Sequence, residues 1–180
     1  MPGAKVEVVE GDARISLEQE LERGEAQAFD VLALDVFSSD SIPMHLLTEE
    51  AVAIYRQHLA PGGVLALHIS NVHLDLVPVA LAHAQAFGMH ATLVINETKG
   101  DALRSQWMIL SPDPEFSWGA TFAQASASVH RLELAEPPTI TWTDDRSSVL
   151  PVIRRSHPLV KTRLLSQPPT AAPVAQPASP

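Results

Sequence analysis

The sequence predicts an α/β fold, a doubly wound sheet of mainly parallel strands that ends in an antiparallel hairpin. Three observations predict it. Short apolar runs alternate with amphipathic stretches along most of the chain. Two of those runs, Asp30–Asp35 and Val64–Ile69, are nearly continuous in Val, Leu and Ala, the mark of strands buried on both faces. Later, two strand-like runs flank a polar linker that contains Lys99-Gly100-Asp101, the signature of a hairpin.

Taken in order, Val6–Val9 reads as a short strand broken by Gly11-Asp12. Ala13–Arg23 reads as a helix, with Leu17 and Leu21 on one face and Gly24 as its stop. Asp30–Asp35 is the next strand, and a polar stretch, Ser38-Ser39-Asp40-Ser41-Ile42-Pro43, follows it. Thr48 is placed to cap a helix whose first turn carries Glu49 and Glu50 and whose last carries Arg56 and His58. Val52, Tyr55 and Leu59 form its inner stripe, and Pro61-Gly62-Gly63 should end it before the strand Val64–Ile69. Leu74–Phe87 reads as a helix with Pro78 near its start and Gly88 after it. His90–Ile95 and Gln106–Leu110 form the predicted hairpin, Glu115–Val129 a helix, Thr139–Asp145 an extended segment and Ser147–Ile153 a short helix. From Gln167 onward there are five prolines in fourteen residues, a composition that cannot build a core. The expected division is therefore a partial domain over residues 1–160 and a disordered Pro/Ala-rich tail over 161–180.

Bulk properties narrow the function classes. The chain has 180 residues and a formal net charge of −9. That balance argues against sequence-independent nucleic-acid binding, which needs clustered Lys and Arg; it suits a cationic ligand, and equally an ordinary acidic soluble protein. There is no cysteine, so disulfides and thiolate metal sites are excluded. No run approaches the roughly 18 apolar residues of a membrane span, and the N-terminus has no apolar signal core. The expectation is a cytoplasmic protein without a membrane segment.

In open α/β sheets ligands sit at the carboxyl ends of the strands. Asp12 and Asp35 fall there, and Asp40 lies in the loop after Asp35. Asp12 has a plain reading as a helix N-cap and a functional one as acceptor for a nucleotide base amino group, and its two oxygens allow both. Asp35 reads as a solvated strand end, or as an acid that takes a proton or holds a cation. Asp40 reads as an Asx-type turn, or with Asp35 as a local negative field for an amine. His68 and His73 lack a third ligand at metal spacing, so no metal is expected. No Ser-His-Asp arrangement is legible, because Ser38 and Ser39 are not in a Gly-x-Ser-x-Gly elbow. Trp142 reads as packing or as a pocket wall.

Three stretches resemble the spermidine synthases, the polyamine aminopropyltransferases. Val6-Glu7-Val8-Val9-Glu10-Gly11-Asp12-Ala13 resembles their third-strand region. Asp35-Val36-Phe37-Ser38-Ser39-Asp40-Ser41-Ile42-Pro43 resembles their catalytic loop, in the form found in a bacterial subgroup. Trp142-Thr143-Asp144-Asp145 through Leu150-Pro151 resembles the end of the same subgroup, while Leu59-Ala60-Pro61-Gly62-Gly63-Val64-Leu65 is shared with many methyltransferase-like domains. The resemblance covers about residues 5–153 and implies a Rossmann-like, methyltransferase-like fold with strand order 3-2-1-4-5-7-6. It implies transfer of an aminopropyl group from decarboxylated S-adenosylmethionine, a co-substrate and not a tightly bound cofactor, to a diamine such as putrescine. Asp35 would be the catalytic base, Asp40 the amine contact, and Asp12 with Ala13 the contacts to the nucleoside.

The resemblance also has gaps. The family's first two strands and Gly-rich turn have no counterpart here, so the domain is expected to be N-terminally truncated and weak or inactive as a catalyst. Arg146 stands where the subgroup has an aromatic, so Asp144 and Asp145 are not carried over. Missing strands would leave a sheet edge open: either Val6–Val9 pairs there, or another chain fills the gap, as in a homo-oligomer, or the fragment is poorly stable. Two other functions fit the same pattern: an S-adenosylmethionine-dependent methyltransferase-like domain, or a non-catalytic remnant acting in assembly.

Overall fold

The computed structural model describes residues 3–35, 43–97, 104–116 and 128–153, and the backbone of Thr162–Leu164. Its architecture is α/β, with a mixed open sheet. The helices are α1 (Ala13–Glu22), α2 (Glu49–Gln57) and α3 (Val77–Ala86). The strands are β1 (Phe29–Leu34), β2 (Leu59–His68), β3 (His90–Asn96), β4 (Ser105–Ser111), β5 (Ser128–Leu134) and β6 (Thr162–Leu164). They lie in the order β1-β2-β4-β3-β5-β6. β1 and β2 are parallel, and every other pairing is antiparallel.

Local chemistry explains the helix ends. Asp12 caps α1 by accepting the Ile15 N–H at 3.1 Å. Thr48 caps α2 by accepting the Ala51 N–H at 3.3 Å, and Glu49 and Glu50 occupy the positive first turn. Gly24 and Gly88 follow α1 and α3 at φ 75° and 62°, the left-handed conformation that stops a helix and that glycine adopts without strain.

The core is one continuous cluster. Val52 and Tyr55 of α2 meet Leu65 and Leu67 of β2, Leu81 of α3, and Met108 and Leu110 of β4, all almost fully buried. The Tyr55 hydroxyl donates to Leu46 O at 3.1 Å, which satisfies the one polar atom that this side chain takes inside. Helix α3 is apolar nearly all round and is buried from Pro78 to Ala84. Its His83 is 1% exposed and donates from Nε2 to Leu47 O at 2.9 Å. Burial holds the His83 pKa below the ordinary imidazole value. Trp142 is 2% exposed, packs in the core and donates to Ser148 O, and it also borders a cavity lined by Thr139, Thr143 and Pro151.

Several expectations need correction. Among the described residues Val6–Val9 pairs with no strand; it is exposed, with Val6 and Val8 both 82% accessible. A strand exists only where a neighbour takes its N–H and C=O groups, and β1 pairs on one side alone, with β2. Among the described residues the outer edge of β1 is thus unpaired, and Val31 is 61% exposed, so β1 is not buried on both faces as expected. Pro61-Gly62-Gly63 does not end α2. The helix stops at Gln57, and the Pro-Gly-Gly segment lies inside β2, where the register slips: Phe29 faces Leu59, but Val31 faces Val64. Ser128 and Val129 belong to β5 and not to a helix, and Glu115 lies in a turn. The hairpin β3–β4 forms as expected, but β5 and β6 extend the sheet beyond it. Thr162–Leu164, assigned above to the tail, pairs with β5. The helix expected at Ser147–Ile153 is one short 3-10 turn, Leu150–Val152.

The bulge in β2 depends on Gly63. A Cβ there would sit 2.5 Å from Phe29 O and 3.0 Å from Ala60 O, both backbone atoms that cannot swing aside. Gly63→Ala is expected to destabilise the fold by about 1–3 kcal/mol, the usual cost of overpacking. Urea unfolding would check this, and an unchanged midpoint would contradict the close approach.

Candidate functional site

The parallel register of β1 and β2 builds the site. Leu34 lies beside Leu67, so the next residues, Asp35 and His68, emerge side by side at the carboxyl ends of the two strands. Asp35 Oδ1 lies 2.6 Å from His68 Nδ1. His68 Nε2 lies 2.7 Å from Ser70 Oγ, two residues further along on the same side. Ser70 Oγ also accepts the Gln106 N–H at 2.7 Å. Trp107, paired with His68 across the antiparallel β2–β4 ladder, stacks on the imidazole at 4.8 Å between ring centroids and 19° between planes. Asp35, Ser70 and Trp107 thus hold one imidazole, and the Gln106 N–H holds Ser70 in turn.

A carboxylate on Nδ1 and a hydroxyl on Nε2 is the order of an acyl-transfer triad. The sequence reading found no such arrangement; the structure corrects it with Asp35, His68 and Ser70. Exposure decides which end can react. The Asp35 side chain is 60% accessible and that of His68 20%. Ser70 is part-buried, with its oxygen already engaged by a backbone amide. The group open to a ligand is therefore the carboxylate, and the imidazole and hydroxyl stand behind it.

Asp12 lies at the same end of the sheet, in a second cluster. Its Oδ1 caps α1, and its Oδ2 lies 2.8 Å from His45 Nε2. The His45 hydrogen bond, with help from the Ile15 N–H, holds the Asp12 pKa below its ordinary value. Both oxygens thus have partners, and a base amino group would have to share Oδ2 with His45. Ala13 opens α1 and is exposed. Arg14, next along, makes a bidentate pair with Asp144 at 2.6 and 2.5 Å. It also donates to His45 O at 2.9 Å, and Thr48 Oγ1 donates to Asp144 Oδ1 at 2.8 Å. The Asp144 N–H donates to Glu50 Oε2, and the Glu49 N–H to Trp142 O. These contacts lock α1, the turn before α2 and the Trp142–Asp144 segment together.

Asp40 lies outside the described residues. Among the described residues no cluster of His, Cys, Asp or Glu could hold a metal ion, and no helix is long and apolar enough to cross a membrane. His45, Ser70 and Arg14 are the site residues that sequence reasoning missed. Ser70 had a local signal, since His68-Ile69-Ser70 puts two polar side chains on one face of a strand end.

The Arg14 guanidinium holds the Asp144 carboxyl down to about 2 from an ordinary 3.8. A lowered folded-state pKa contributes stability that is complete above the unfolded value and lost as pH falls through the folded one. Acid titration should therefore cost stability from about pH 4 to about pH 2, and Asp144→Asn should flatten that loss. Thermal unfolding from pH 5 to pH 2 would read it; identical slopes in the two proteins would contradict the clamp. No protein-family model matches this chain, and no curated protein does.

Proposed function

We propose that this chain is a spermidine-synthase-like domain in which Asp35 is the general base for aminopropyl transfer. In that reaction the nitrogen lone pair of a diamine such as putrescine attacks the aminopropyl carbon of decarboxylated S-adenosylmethionine. The carbon–sulfur bond breaks, methylthioadenosine leaves, and the proton shed by the nitrogen passes to Asp35. Alkylamines are mostly protonated near neutral pH, with a pKa of about 10.4 for a lysine-type amine, so an ionised carboxylate beside the nitrogen is what the step requires.

One observation carries the reading. Asp35 is an accessible carboxylate at the carboxyl end of a parallel strand, braced from behind by His68. The topology supports it too: β1, β2, β4 and β3 follow the order and directions that the methyltransferase-like pattern gives to strands four, five, seven and six. Asp12 and Ala13 at the start of α1 are assigned to the nucleoside, and Asp40 to the far end of the diamine. Among the described residues the outer β1 edge is unpaired and the segment before α1 is exposed, so few of them wall in a nucleoside. Turnover is accordingly expected to be weak, and binding is the first readout.

Calorimetry should detect putrescine binding, and Asp35→Asn should weaken it about tenfold or more, the effect of removing one charge-assisted contact. Methylthioadenosine should bind in preference to S-adenosylmethionine. Preference for S-adenosylmethionine would favour a methyltransferase-like activity, and diamine affinity indifferent to Asp35→Asn would contradict the assignment.

A further inference from the structure

Asp35 does not stand alone, and its support has a chemical direction. Ser70 Oγ accepts the Gln106 N–H at 2.7 Å, so its own O–H is turned toward the other close neighbour, His68 Nε2, also at 2.7 Å. The alternative acceptor for that O–H, Gln106 O, is 3.5 Å away, at the limit of a hydrogen bond. A hydroxyl donating to Nε2 makes that nitrogen the acceptor, and in a neutral imidazole the proton is then on Nδ1. Nδ1 lies 2.6 Å from Asp35 Oδ1, so the imidazole donates to the carboxylate. Stacking on Trp107 and cross-strand pairing keep the ring plane fixed while it does so.

We infer that His68 and Ser70 are positioning residues for Asp35: Ser70 selects the Nδ1–H tautomer of His68, which engages Oδ1 and presents Oδ2 to an amine ligand. The inference deepens the aminopropyltransfer reading and rests on it for the identity of the ligand. The hydrogen-bond chain itself does not. A carboxylate on a flexible side chain would otherwise spread over several rotamers, and holding one oxygen keeps the other where a nitrogen can be deprotonated. Because the pair acts through Asp35, removing either member should weaken the ligand contact without abolishing it.

The test is a long-range proton–nitrogen NMR spectrum of the whole chain, at a pH about two units above the ordinary imidazole pKa of about 6.5, where the tautomer can be read. His68 should show a protonated Nδ1 and a bare Nε2. Ser70→Ala should shift the ring toward the Nε2–H form and weaken putrescine binding about three- to fivefold, where Asp35→Asn costs tenfold or more. Ser70→Thr, which keeps the hydroxyl, should restore both. A protonated Nε2 in the unmodified chain would overturn the inference, as would a tautomer indifferent to Ser70→Ala. The tautomer is read without ligand, so it decides the inference even if putrescine fails to bind, a failure that would count against the aminopropyl reading instead.

Discussion

The parallel register between β1 and β2 is the constraint on which the candidate site depends. Pairing Leu34 with Leu67 sets Asp35 against His68, and the antiparallel pairing of β2 with β4 sets His68 against Trp107. A slip of one residue in either ladder would turn every side chain of that strand to the opposite face. The acid would then lose its imidazole and the imidazole its stacking partner. The bulge at Ala60–Gly63 belongs to the same constraint, since it absorbs the extra residues of β2 before the in-register stretch begins. The Pro-Gly-Gly element thus matters here for geometry at a distance from the chemistry.

Around this pair, polar contacts supplement a partial apolar packing, in which Leu17 and Leu21 of α1 lie against the core. Helix α1 has no fully buried residue. It is held by Arg14 to Asp144, by Asp12 to His45, and by the buried His58, whose Nε2 donates to Leu17 O at 2.9 Å. The acid that resemblance assigns to the nucleoside is thus also part of the scaffold. One oxygen of Asp12 caps the helix and the other meets an imidazole, so a ligand there would compete with a structural bond. Asp35 also gives one oxygen to an imidazole, but it caps no helix, and that separates the two acids more clearly than their positions in the sequence do.

Much of the fold was legible because it rests on local chemistry. The α1 boundaries, the Thr48 cap and the apolar runs of β1 and β2 are signals carried within a few residues. The β3–β4 hairpin was legible for the same reason. What failed was whatever needed knowledge of a partner. Val6–Val9 has strand composition but pairs with no strand among the described residues, and composition does not supply a neighbour. Arg14 and Asp144 are 130 residues apart, so their bidentate pair left no trace in local pattern. Asp35 was found from its place at a strand end, whereas its support came into view only when the register put His68 and Ser70 behind it.

The register can be tested without any ligand. The chain has no cysteine, so Asp35→Cys with His68→Cys would introduce a lone pair of thiols. Side-by-side residues of paired strands fall within the Cα separation of about 4.4–6.8 Å that a disulfide spans. Mild oxidation should link Cys at positions 35 and 68 within one chain, detected by peptide mass mapping, while Cys at 35 and 69 should stay reduced, because position 69 points to the other face. Cross-linking at 35 and 69 in preference to 35 and 68 would contradict the register, and with it the braced carboxylate.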